Sequence, residues 1–180
     1  SWKNIRQDWD AIRTQGLSWT PQENIKRHSD MIGKVLPFMV DVADETQLTL
    51  DPVMDTYYFM DTIVSMMPAM LEPLGITRAR GTGVLTKKEL PQQLRNDLAL
   101  LIATIEVTLQ AQDSNIQKVM LYSPGLRDAL AGPSKEFSGG VEKILGLVKD
   151  DILGEKFSTA PQDYFAMTTQ VIDLGYKVMF

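Results

Sequence analysis

Cysteine is absent from the 180 residues, and histidine occurs once, at His28. Without thiols there is no disulfide framework and no thiolate zinc site, although that absence names no compartment. A single histidine cannot furnish the paired Glu-x-x-His ligands of a di-iron bundle or the His-Glu-x-x-His of a zincin. It would also leave a Ser-His-Asp constellation resting on His28 alone, so nucleophilic catalysis has no support. A carboxylate-pair hydrolase is left open by residue types, with nothing pointing to it. Positive charge is scarce: 18 Lys and Arg stand against 23 Asp and Glu, for a net charge of −5. Binding to nucleic acid needs clustered cations, and the nearest approach is Thr77-Arg78-Ala79-Arg80, set among glycines without interleaved aromatics. No apolar run reaches the about 20 residues that cross a bilayer. Gly81-Thr82-Gly83 lacks the strand and the further residues of a phosphate loop. Strand-like alternation bounded by hairpin turns is missing as well, so no sheet is expected. No cofactor, metal or nucleic-acid partner is expected, nor any catalytic chemistry within these residues.

What is present is helical periodicity. Trp2, Ile5, Trp9 and Ile12 form a first seam ending at Gly16, a candidate C-terminal cap. Thr20-Pro21-Gln22-Glu23 reads as a capped helix start, followed by the seam Ile25, His28, Ile32, Val35, Met39, Val42, Thr46, with Pro37 as a kink. Asp51-Pro52 starts the next helix by the same logic, with Val53, Tyr57, Met60, Val64, Met67, Leu71 and Leu74 on one stripe. Pro68 and Pro73 should bend it, and Gly75, Gly81 and Gly83 predict a loop or a loosened end. Thr86-Lys87-Lys88-Glu89 is a second capping box, stapled by Leu85 and Leu90, ahead of a long helix through Leu98, Ile105 and Leu109 that stops at Ser123-Pro124-Gly125. Gly132-Pro133 is the next break, then a face from Phe137 to Ile152 ends at Gly154. Thr159-Ala160-Pro161 opens a last helix whose seam, Tyr164, Met167, Val171, Leu174 and Val178, runs to the end. The expectation is an all-α chain: an elongated antiparallel helix bundle, either one tier or two stacked four-helix modules sharing long helices. Residues 1–180 are read as one helical domain. The seams that run to both ends read as those of a fragment cut from a longer protein.

The densest polar and aromatic segment spans residues 48–61. Asp51, Asp55, Tyr58 and Thr62 lie off the apolar stripe, where carboxylates can take the ammonium of an amine or amino acid and the tyrosines offer ring faces and hydroxyls. Each has a structural alternative: Asp51 as an N-cap, Asp55 beside the positive helix end, Tyr57 as core. Arg78 and Arg80 can fork onto a ligand carboxylate or pair with Asp or Glu on a neighbouring helix. The candidate ligand-binding residues are therefore Asp55, Tyr58, Asp51, Tyr57, Arg78 and Arg80. His28 reads as a hydrogen-bonded seam histidine rather than a ligand or pH sensor.

The run Leu48-Thr49-Leu50-Asp51-Pro52-Val53-Met54-Asp55-Thr56-Tyr57-Tyr58-Phe59-Met60-Asp61 resembles a segment of the helical extracytoplasmic sensor regions of bacterial histidine kinases and methyl-accepting chemotaxis receptors. In those regions Leu-x-Leu-Asp-Pro-x-x-Asp-Ser/Thr-Tyr-Tyr-x-Met-Asp precedes a proline and a stretch rich in glycine and arginine; Pro68, Gly75, Arg78, Arg80 and Gly81 fit that continuation. Tyr164-Phe165, Thr168, Thr169, Ile172-Asp173 and Tyr176 are similar to their last sensor helix. Glu45-Thr46-Gln47 departs from the Ser-Asn pair usual there, so no ligand is carried over. The resemblance implies a periplasmic domain between two transmembrane helices of an inner-membrane receptor. It implies a homodimer in the full-length protein and a small-molecule ligand or a periplasmic binding protein as partner, with signalling by helix displacement. A two-component histidine kinase is the leading reading, its kinase activity lying outside these residues. A chemotaxis receptor is the alternative, and a helical protein-interaction bundle without a small-molecule site is the rival from another class.

Overall fold

The computed structural model describes residues 1–179, and the chain is all-α, with no strand among them. It divides into two compact units, residues 1–51 and 52–180, and the division falls between elements.

The first unit is an antiparallel hairpin of α1 (Trp2–Gln15) and α2 (Pro21–Glu45). Its direction follows from three pairings: Trp2 stacks on Phe38 with ring centroids 6.0 Å apart, Lys34 reaches Asp8 at 2.7 Å, and the Asn24 side-chain amide donates to the Gly16 carbonyl at 2.6 Å. Ile5, Ile12 and Ala43 are buried along the seam. Glycine does end α1, though not in the left-handed conformation of a usual glycine cap. Gly16 stays right-handed, with φ −55°, and the chain tightens into a 3-10 turn, Gly16–Ser18. Half of the capping box forms at α2: the Glu23 N–H donates to the Thr20 hydroxyl at 3.2 Å, with Pro21 in the first helical position, where a missing N–H costs nothing, while the Glu23 carboxylate pairs with Arg27 at 3.1 Å.

The second unit is a four-helix bundle. Its first rod is α3 (Met54–Asp61), a π-helical turn (Thr62–Met66) and α4 (Met67–Lys87); the others are α5 (Gln92–Tyr122), α6 (Arg127–Leu147) with a second π-helical turn (Val148–Leu153), and α7 (Pro161–Met179). Each rod packs on the next and α7 closes back on α4. Neighbours run antiparallel: Asn115 pairs with Asp61 between α5 and α3, Ser138 with Asp113 between α6 and α5, and Tyr164 with Thr77 between α7 and α4. Met67, Met70, Leu74, Leu98, Ile105, Phe137, Val141, Ile144 and Tyr164 form the dry centre.

Gly75, Gly81 and Gly83 mark neither a loop nor a helix end, since all three lie inside α4. A Cβ at Gly81 would stand 2.6 Å from the Tyr164 ring; this glycine admits an aromatic side chain rather than loosening a helix end. On α7, Gly175 likewise leaves room for a neighbour, here Leu71, which a Cβ would meet at 2.6 Å. With Val84 and Leu85 both buried, α4 continues through the Thr86 capping-box residues to Lys87. There the Thr86 hydroxyl donates to the Thr82 carbonyl at 2.7 Å instead of capping. Lys88, at φ 54°, stops the helix, and α5 starts at Gln92. Gly132-Pro133 likewise falls within α6. Asp51 is not the cap of the next helix either, since α3 begins at Met54 with Val53 in the cap position.

Asp151 illustrates how polar groups hold the bundle's ends. Its carboxylate accepts the Ser158 N–H and hydroxyl at 2.8 and 2.7 Å and the Thr159 N–H at 2.8 Å, clasping a loop in which Glu155 and Phe157 sit at positive φ. Burial opposes its ionisation, but the donors from Ser158 and Thr159 outweigh that and hold its pKa well below the usual carboxylate range. A depressed folded pKa contributes stability that is complete above the ordinary value of 3.8 and is lost as pH falls below it. Asp151→Asn, whose Nδ2 cannot accept the Thr159 N–H, should cost about 2 kcal/mol at pH 7. It should also flatten the acid limb of stability against pH, measured by urea unfolding from pH 7 to 3; an unchanged acid limb would clear Asp151 of this role.

Candidate functional site

Three contacts join α3 to the C-terminal part of α5 and to the residue that ends it. The Ser123 hydroxyl donates to Asp55 Oδ2, whose other oxygen accepts the Thr56 N–H at 2.9 Å. One turn further along α3 the Lys118 ammonium lies over the Tyr58 ring, 4.3 Å from its centroid. After one more turn the Asn115 amide donates to Asp61 Oδ2 at 2.7 Å. The antiparallel crossing fixes this order, because each turn forward on α3 meets a turn earlier on α5. The Ser123 hydroxyl, with help from the Thr56 N–H, lowers the Asp55 pKa, so this carboxylate is ionised at neutral pH. Tyr57 meets Tyr58 edge-on, with centroids 5.4 Å apart and rings at 73°. The result is a clamp: a ring face holding a cation, with a carboxylate one helical turn to either side. A ring face flanked by carboxylates favours positive charge, here that of the chain's own Lys118.

The other sequence candidates are elsewhere. Arg78 donates to the Thr169 hydroxyl at 2.8 Å and lies over the Phe165 ring at 4.7 Å, tying α4 to α7. Arg80 pairs with Asp97 at 2.8 Å, tying α4 to α5. Both follow Tyr58 by some twenty residues on the same rod, on the order of 30 Å along the axis at about 1.5 Å per residue. They therefore do not join Asp55 and Tyr58 in one site. Asp51 closes the 3-10 turn Leu48–Leu50 at the end of the first unit, in extended conformation. Tyr57 is 39% exposed and is not core. His28 lies with Nδ1 2.8 Å from the Asn24 carbonyl one turn back, the hydrogen-bonded placement expected of it.

Sequence reasoning missed the α5 half of the clamp. Lys118 and Ser123 carry no local signal, but Gln112 and Asn115 do: both are polar positions in the otherwise apolar seam from Leu109 to Val119, and both are buried. Among the described residues no three metal-binding side chains converge, and no helix is long and apolar enough to cross a membrane. Comparison of the chain with protein-family models, with curated proteins and with solved structures finds no match.

Proposed function

We propose that this chain is the extracytoplasmic sensing domain of a two-component sensor histidine kinase, the periplasmic part of an inner-membrane receptor. The clamp between α3 and α5 takes a ligand bearing a protonated amine. The observation that carries this reading is the Lys118 ammonium on the Tyr58 ring, in the turn between Asp55 and Asp61. The chain's own cation occupies a position built for one, and a ligand ammonium of the same charge and size can displace it. The ring and carboxylates come from the very run that resembles helical sensor regions. A ligand bound there makes its contacts with α3 and loosens those of α5, so it favours one packing of the two helices over another.

Calorimetric unfolding in the presence of primary amines, amino acids and organic acids tests the assignment. A ligand at a hundred times its Kd adds about 2.7 kcal/mol to the folded state. An amine should therefore raise the unfolding midpoint by several degrees, with roughly 2–4 °C for each kcal/mol. Asp55→Ala should abolish that rise without loss of helix content. Stabilisation by organic acids alone, or an amine response that persists in Asp55→Ala, would sink the reading.

A further inference from the structure

The inward stripe of the first rod does not keep one helical phase. Beyond the π-turn it runs Met67, Met70, Leu74, Thr77 and Gly81 at steps of three and four. Before the π-turn it passes through Thr62, 1% exposed, and Tyr58. Thr62 and Met67 are five residues apart, and the Met67 N–H donates to the Thr62 carbonyl, the i→i+5 bond of a π-turn. One extra residue rotates a helix by about 100° relative to an uninterrupted one. The polar face of α3 therefore meets α5 only because the π-turn is there.

The same residues carry a second stripe that needs no extra residue: Val53, Tyr57, Met60, Val64 and Met67, at steps of four and three. In the structure Val53 and Tyr57 of this stripe are exposed, whereas Met60, on the same stripe, is buried. Opposing forces thus act on one helix. The clamp favours the π register, and so does Pro68, which has no N–H for the Val64 carbonyl four residues back. Burial of the apolar stripe favours the continuous one. One turn beyond Asn115 along the same antiparallel pairing, Gln112 is wholly buried, with no hydrogen-bond partner among the described residues for either amide atom. Such a group marks packing that is not fully reconciled.

We propose that the Thr62–Met66 π-turn is a register switch, through which α3 presents either its polar face, Asp55-Tyr58-Thr62, or its apolar face, Val53-Tyr57-Val64, to the bundle. As the step that transmits ligand binding it rests on the sensing function above; as an equilibrium of the fold it does not. The cysteine-free chain allows a direct test by thiol labelling of single variants, Tyr57→Cys on the outer face and Thr62→Cys on the inner. Weakening the clamp with Asp55→Ala should slow labelling at position 57 and speed it at position 62, each about fivefold or more, the lower end of ordinary coupling. If Asp55→Ala loses helix content by circular dichroism, Asn115→Ala removes the donor to Asp61 and serves instead. Deleting Ser65, which keeps the polar face inward without the extra residue, should abolish both changes. Faster labelling at both positions would mean fraying and would overturn the switch, as would no change at either. Inverted labelling without any amine response would leave the switch standing and remove the ligand.

Discussion

Tyr164→Ala should lower the stability of the second unit by about 3 to 5 kcal/mol, the usual cost of removing a large ring from a packed core. The unfolding midpoint, followed by circular dichroism, should fall by roughly 10 °C. Three features put this substitution at the top of the scale. The side chain is wholly buried, its ring fills the space left by Gly81, and its hydroxyl donates to the Thr77 carbonyl at 3.0 Å. Burial holds the phenol well above its ordinary pKa, so it stays a donor throughout the accessible range. Tyr164→Phe separates the parts: it keeps the ring and loses one hydrogen bond, a change of about 1 kcal/mol. A loss in Tyr164→Ala no larger than that in Tyr164→Phe would show that α4 and α7 close over the missing ring.

The second large effect concerns recognition. Tyr58→Ala should weaken binding of an amine by roughly fivefold, the equivalent of the about 1 kcal/mol of a cation–π contact at a partly exposed site. Lys118→Met should do the opposite, because it removes the cation that competes for the Tyr58 ring while keeping the aliphatic length. A gain of about fivefold is expected, from a competitor worth roughly 1 kcal/mol at a partly exposed site. Titration calorimetry with the best amine from the unfolding screen measures both. Opposite signs in the two variants are the signature of displacement. Weaker binding in both would make Lys118 part of the ligand's own contacts, and the ligand an anion or a zwitterion.

Local sequence signals are overridden in this chain where helical phase or a tertiary contact opposes them. The core reading of Tyr57, the alternative to ligand binding, follows from the helical spacing of Val53, Tyr57, Met60 and Met67. That spacing assumes 3.6 residues per turn throughout, and the π-turn adds a residue between α3 and α4. Gly81 has the sequence character of a breaker and the structural role of a seat for Tyr164, which is 83 positions away and invisible to any local window. Thr86 to Glu89 have the composition of a capping box, yet the buried Val84 and Leu85 carry α4 past its first residue. Of the candidate site, Asp55 and Tyr58 were legible as polar residues off the apolar stripe. Lys118 and Ser123 were not, because a residue's meeting with another helix is set by packing rather than by its neighbours in sequence.

The amino-acid sequence by itself determined that this protein is helical, where most of its helices lie, and that metal-thiolate chemistry is closed to it. Periodicity, caps and composition act within a turn or two of chain, and those interactions are local. Tertiary structure alone decided that Arg78 and Arg80 tie helices together, that Asp55, Tyr58 and Asp61 are joined by Ser123, Lys118 and Asn115, and which face of α3 turns inward. The reason is that two stripes on one helix are each acceptable locally, and only the fit against α5 and α4 selects between them.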